Sequence, residues 1–258
     1  MCLIIAAWKV SPEFPLVIAA NRDESFARPT RCAAFWPDMP DLLAGRDLFA
    51  GGTWLGITRH GRFAALTNFR NPNEEKTTTT SRGALVSGFL LGSTPPLPYL
   101  DEIGAVGSQY NGFNLLVGDG KTLACYNNIE HRSETLAPGV HGLSNHVLNT
   151  PWPKVTLATS ALGAALSNMP DTDRLFSFLR DDSIADDASL PNTGVPLEAE
   201  RFLSSIFIHS PAEFNYGTRS STALVVGRDG LVTFDEQEWN PDATAGHRQR
   251  FRFRLKSL

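Results

Sequence analysis

The beginning of the chain constrains the fold most. Two apolar runs, residues 3–8 and 16–20, lie close together, and the turn signal Ser11-Pro12 stands between them. Short apolar runs bounded by turn residues predict buried strands. The second run stops abruptly at Asn21-Arg22-Asp23-Glu24. In a regular strand Asn21 and Asp23 face one side and Arg22 and Glu24 the other. All four therefore line one pocket only if the chain bends there. The tetrapeptide is either the floor of a site or a solvated strand end, and the residues alone weigh the two evenly.

Further strands are predicted over 53–58 and 62–68, with Arg59-His60-Gly61 as a tight turn. Residues 71–80 read as an exposed loop. Ser81 is positioned to cap a helix whose apolar stripe is Leu85, Val86, Phe89 and Leu90. Pro95-Pro96-Leu97-Pro98 interrupts, and a second helix is expected over 99–109. Strands return over 113–117, 122–126 and 131–136, with a turn at Gly118-Asp119-Gly120. Thr150-Pro151 reads as a helix start, followed by Val155, Ala158, Leu162 and Ala165 at helical spacing. A short helix around Leu175, Phe176 and Leu179, an acidic loop over 181–196 and a helix over 198–207 follow. The chain closes with strands over 222–226, 231–234 and 249–255, the first two joined by Arg228-Asp229-Gly230. Arg248, Arg250, Arg252 and Arg254 alternate with Phe251, Phe253 and Leu255, which predicts an apolar inner face and a solvated arginine face. Elements that come in blocks argue for an α+β layered sandwich, one domain over residues 1–258.

Charge and composition narrow the function. Lys and Arg number 23 against 27 Asp and Glu, a net charge of -4. A nucleic-acid partner is not expected from such a chain. No apolar run reaches the ~18 residues of a membrane span, so no integral membrane segment is expected. The opening residues lack the basic region of a signal peptide. The cysteines Cys2, Cys32 and Cys125 are too few and too scattered for a disulfide framework or a zinc site. The expected location is cytoplasmic.

Cys2 follows the initiator methionine. Removal of Met1 would leave a thiol and a free α-amine on one residue. An α-amine titrates at about 7.7–8.0 and can serve as a base, while a thiol needs one to become a nucleophile. The plainer reading is a small buried residue opening a strand. Asn68 ends a predicted strand and Asn145 lies in Gly142-Leu143-Ser144-Asn145. An asparagine amide can stabilise an oxyanion, although each also suits a turn. Arg219 precedes an apolar strand and is either a carboxylate anchor or a surface arginine.

Met1-Cys2-Leu3-Ile4, Asn21-Arg22-Asp23-Glu24, Gly52-Thr53-Trp54-Leu55-Gly56, Leu66-Thr67-Asn68, Leu143-Ser144-Asn145 and Thr150-Pro151-Trp152-Pro153-Lys154 occur in that order. The set strongly resembles the NRDE family, the transport and Golgi organization protein 2 family. The resemblance implies a four-layer αββα sandwich of two antiparallel sheets, like N-terminal-nucleophile hydrolases. It suggests kinship with cysteine amidohydrolases that act on non-peptide C–N bonds. Carried over by motif, the catalytic set is Cys2, Asp23, Asn68 and Asn145. Arg22, Asn21 and Arg219 stand as substrate-binding residues. The departure is that Arg22 and Asp23 are neighbours here, so one of them is expected to point away from Cys2. The leading expectation is hydrolysis of an amide or ester of a small molecule, with no cofactor. The alternative implied by the family is a haem-trafficking chaperone that uses the same pocket to hold haem.

Overall fold

A computed structural model describes residues 2–72 and 80–256. Most of the loop expected over 71–80 therefore lies outside the described residues. The strands are β1 (Cys2–Trp8), β2 (Leu16–Ser25), β3 (Thr30–Trp36), β4 (Met39–Asp47), β5 (Leu55–Thr58) and β6 (Phe63–Asn68). After α1 (Gly83–Leu91) and α2 (Pro96–Val106) come β7 (Phe113–Gly118), β8 (Leu123–Asn127), β9 (Arg132–Thr135) and β10 (Gly139–Leu143). Helices α3 (Pro153–Ala165), α4 (Asp173–Leu179) and α5 (Leu197–Phe202) precede β11 (Tyr216–Val226), β12 (Leu231–Trp239) and β13 (Ala245–Arg254).

The strands form two antiparallel sheets. One runs β10-β1-β2-β11-β12-β13, the other β3-β4-β5-β6-β7-β8-β9. Alternate residues of the central strands enter different cores. Ile4, Ala6, Ile18 and Ala20 meet Phe63, Ala65 and Leu116 between the sheets. Leu3, Ile5, Val17 and Ala19 pack instead against Val155, Ala158, Leu162 and Leu175 of α3 and α4. On the far side Ala64, Leu66 and Leu115 pack against Leu85, Val86, Phe89 and Leu100 of α1 and α2. The result is the expected four-layer αββα sandwich. It explains why the first two runs are apolar at every position: both faces of each strand are covered.

Several boundaries differ from the expectations, each for a physical reason. β3 and β4 lie where no strand was predicted, because β3 is half-buried and Pro40 near the start of β4 masks the pattern. β10 is hidden by two glycines, Gly139 and Gly142. The proline run starts α2 instead of interrupting the chain: Pro96 takes the first helical position, where a missing N–H costs nothing. Likewise α3 begins at Trp152-Pro153, two residues later than Thr150-Pro151. Ser81 Oγ accepts the Gly83 N–H at 3.3 Å, but the residue at the start of α1 is Arg82. α5 ends at Phe202, short of the helix expected over 198–207. The turns at Gly61 and Gly230 are as predicted, with φ of 79° and 78°.

The last strand keeps its inner face, with Phe251 and Phe253 edge-on to Phe35. Its arginine face is not simply solvated. Arg250 and Arg248 donate to Asp235 at 2.6 and 3.1 Å, and that carboxylate is fully buried. Among the described residues no helix is long and apolar enough to cross a membrane.

Candidate active site

The inter-sheet space opens at one end into a polar cavity of about 260 Å³. Strand register sets what it sees. Cys2 is opposite Arg22, Arg22 opposite Ser220, and Ser220 opposite Glu238. Directly opposed residues share a face, so these four side chains form one row across β1, β2, β11 and β12. One row deeper, Ile4, Ala20, Thr222 and Glu236 align in the same way. The register slips between Thr218 and Ser220, which leaves Arg219 as the extra residue of a bulge. A bulge re-aims its side chain, and Arg219 lines the cavity with one guanidinium nitrogen donating to the backbone oxygens of Ser25 and Arg28, at 3.1 and 2.5 Å.

The structure separates the expected site residues into two groups. Cys2, Arg22, Asp23, Asn68 and Arg219 line the cavity. Asn21 and Asn145 do not. Asn21 has the parity of Ala19 and faces the helix layer, where its amide donates to the carbonyls of Leu179 and Ile206 at 2.8 and 2.9 Å. Asn145 is fully buried. Its amide donates to the Asn68 carbonyl at 2.9 Å, and its oxygen accepts from Ser144 at 3.1 Å. Both asparagines fasten elements together, Asn145 behind the cavity wall and Asn21 beneath the opposite face. Asp23 is the boundary case. It shares Asn21's parity and accepts from Thr218 Oγ1 at 2.8 Å, yet at the strand end it also reaches the cavity.

The electrostatics distinguish the three thiols. Burial raises Cys2 above the usual thiol value and the Asp23 charge adds to the rise, while the Arg22 guanidinium works against it. Cys32 also lines the cavity and is pushed up to about 12 by burial and by Glu238. Cys125 is raised by burial within the inter-sheet core. Only Cys2 combines a place in the cavity with a cationic neighbour across its own register. Arg22 is itself held by Glu24 at 3.6 Å.

Two buried groups escaped the sequence reading. Glu236 accepts the Ala33 N–H at 2.6 Å, and burial raises its carboxyl to about 7. Its signal was present: Val232, Phe234 and Glu236 share one parity, so the glutamate must point inward. Between the unfolded glutamate value and about 7 the folded chain holds the extra proton, so stability falls as pH rises through that window. The loss amounts to about 3 kcal/mol at pH 8. Glu236→Gln is expected to gain that amount on the wild type between pH 5 and pH 8 in urea unfolding. An equal offset at both pH values would contradict it.

Lys154 is the other. It lies in the first turn of α3, is 2 % exposed, and its ammonium has no hydrogen-bond partner among the described residues. Burial and the Arg70 guanidinium lower it to about 8, against the pull of Asp23 and Cys2. Arg70 pairs with Glu200 at 2.6 Å, with both side chains nearly inaccessible.

The Transport and Golgi organisation 2 family model matches residues 1–241. The chain belongs to this family. The bovine Transport and Golgi organization protein 2 homolog is 35 % identical over 277 residues, covering 100 % of both chains. The human homolog of the same name is 33 % identical over 280 residues, again with 100 % coverage of both. The Transport and Golgi organization protein 2 of Drosophila melanogaster is 26 % identical, covering 93 % of this chain and 96 % of its own. Among solved structures, this family member is similar to a mutant conjugated bile acid hydrolase from Clostridium perfringens. The TM-score is 0.42 at 11 % identity, with 99 % of this chain and 92 % of that one covered. A Caenorhabditis elegans N-acylethanolamine-hydrolyzing acid amidase ortholog gives a TM-score of 0.42 at 9 % identity, over 87 % and 92 % of the two chains.

Proposed function

We propose that this Transport and Golgi organisation 2 family member uses Cys2, freed by removal of Met1, to hydrolyse an amide or ester of a small anionic molecule. The observation that carries the reading is the position of Cys2 on the cavity floor, opposite Arg22. Burial keeps its thiol protonated at rest, so attack needs a local base. The α-amine of the same residue is that base. It takes the Sγ proton as Sγ bonds to the carbonyl carbon, and the carbonyl electron pair moves onto oxygen. The Asn68 side chain donates to that oxyanion and Asp23 orients the amine. When the tetrahedral centre collapses, the leaving nitrogen or oxygen departs with the proton from the ammonium. Water then cleaves the thioester by the same route. A working thiol of this kind suits a reducing compartment such as the cytoplasm.

Arg219 and Arg22 give the cavity its preference for a carboxylate. Arg219→Met is expected to raise KM for a carboxylate-bearing ester about tenfold with kcat little changed, the pattern of lost ground-state binding. A neutral ester of the same size is expected to show no such split. If both substrates lose affinity equally, Arg219 is not the carboxylate anchor.

A set of chromogenic carboxylate-bearing esters and amides tests the reaction itself. Turnover that disappears in Cys2→Ala supports it, and turnover that survives contradicts it. The cavity lies just below the lower end of the range for ligand pockets, which favours a small molecule over a tetrapyrrole as an enclosed guest. A saturable Soret shift at micromolar haem, lost in Cys2→Ala and Arg219→Ala, would favour the haem-holding alternative.

A further inference from the structure

Two acids on the cavity wall have a cation each: Glu24 lies 3.6 Å from Arg22, and Asp47 is 2.5 Å from Arg28. Glu236 and Glu238 of β12 line the same cavity, yet neither forms an ion pair among the described residues. Glu236 is the deeper of the two and only 5 % exposed. A bulge in β3, where Cys32 and Ala33 together stand against Gly45, brings the Ala33 N–H to Glu236 Oε1 at 2.6 Å. Oε2 has no hydrogen-bond partner among the described residues. It lies beside Gly45, another lining residue, 3.9 Å from where a Cβ would stand. A buried carboxylate oxygen with neither donor nor cation is costly unless something binds it.

The groups around Glu236 show what is missing there. Burial raises its carboxyl to about 7, and Glu238 adds to the rise, while the Ala33 N–H and Arg22 of β2 oppose it. Cys32 of β3 is a thiol pushed up to about 12, so it brings no charge. Thr222 and Gln249, directly opposite on β11 and β13, are uncharged, and the buried Thr222 hydroxyl is itself without a partner among the described residues. A cation from outside would restore the carboxylate. Among the described residues no three acidic, histidine or cysteine side chains converge as a metal ion would need. An alkylammonium asks for less: a compact charge with three N–H donors is served by one or two carboxylates. Arg219, on the neighbouring strand β11, also lines the cavity. Adjacent strands lie about 4.8 Å apart, so one small molecule can reach both sides.

We propose that Glu236, with Glu238 beside it, is a subsite for a ligand ammonium, so that the cavity takes a small zwitterion whose carboxylate meets Arg219 and whose primary amine meets the β12 wall. That this zwitterion is part of a substrate rests on the acyl-transfer reading above. Its binding does not. The sign of the pH dependence follows from the buried carboxyl: below about 7 Glu236 holds a proton that it must give up to pair with the ammonium. Affinity for the amine therefore rises with pH through that window.

The test is titration calorimetry of the full chain with ε-aminocaproate and with caproate, which differ only in the amine. At pH 8 the amine is expected to bind about tenfold tighter. The advantage is expected to shrink towards pH 5, and at pH 6 binding of the amine is expected to release a proton, read from two buffers of different ionisation heat. Glu236→Gln is expected to abolish the advantage at pH 8. Equal affinities at pH 8, or no heat from either compound at millimolar concentration, would overturn the proposal. So would a folded Glu236→Gln that keeps the full preference, or an affinity for the amine that rises as the pH falls, since Glu236 would then act as a neutral donor. If the Glu236 variant does not fold, Glu238→Gln decides: a preference unchanged from wild type would overturn the proposal. These measurements need no turnover. An amine preference in a chain that hydrolyses nothing would strike the reaction alone, and hydrolysis without the preference would strike the subsite alone.

Discussion

Cys2→Ala is expected to lower hydrolysis of a reactive ester on the order of 10³-fold or more in kcat, with KM little changed. The loss is large because no other thiol can stand in. Cys32 shares the cavity but has acidic neighbours, and Cys125 is sealed in the inter-sheet core. Cys2→Ser tests the chemistry more finely. It keeps the shape and the α-amine but offers a hydroxyl far harder to deprotonate, so its rate is expected to fall nearly as far as that of alanine. Binding of a non-cleavable substrate analogue, followed by calorimetry, is expected to persist in both variants. An alanine variant within tenfold of wild type would remove Cys2 from the chemistry.

Glu200→Ala is expected to destabilise the fold by about 3–5 kcal/mol, because it takes the Glu200 carboxylate away from the buried Arg70 guanidinium. For a chain of this length that is a melting midpoint lower by roughly 10 °C. The pair matters beyond its own energy. Arg70 lies beside Lys154, so loss of the Glu200 charge also disfavours the lysine ammonium and, through it, the charge at Asp23. Replacing both partners, Arg70→Met with Glu200→Leu, is expected to recover most of the stability. Scanning calorimetry on the two variants checks this. A loss below about 1 kcal/mol for Glu200→Ala would mean that the pair behaves as a solvent-screened surface bridge.

Much of the architecture was legible because apolar runs reveal strands that are covered on both sides. Residues 3–8 and 16–20 read as buried strands and are β1 and β2. The strands that were missed are those in which proline, glycine or half-burial blurs the alternation: β3, β4 and β10. The prolines misled for a related reason. Pro96 and Pro153 start helices, and only the backbone that follows distinguishes a start from a break.

The candidate site was legible as a list of residues but not as a geometry. Parity set Asn21 and Asp23 apart from Arg22, but the expectation that one of Arg22 and Asp23 points away from the Cys2 cavity does not hold: both line it, Asp23 from the strand end, while Asn21 fastens β2 to the helix layer. Arg219 faces the cavity because of a bulge that no local pattern announces. Lys154 was passed over within a helix start, since burial at a helix end depends on what packs over it. Glu236 stood on the inward parity of its strand and was readable in principle.

The proposed chemistry requires that Cys2 becomes the first residue and carries the acyl group. Intact mass of the protein made in cells, measured before and after brief exposure to a carboxylate-bearing activated ester, tests it most directly. The expected product is a chain lighter by one methionine that gains one acyl group, mapped to Cys2 and absent from Cys2→Ala. A fully active chain that retains Met1, or an acyl group mapped to any other residue, would contradict it.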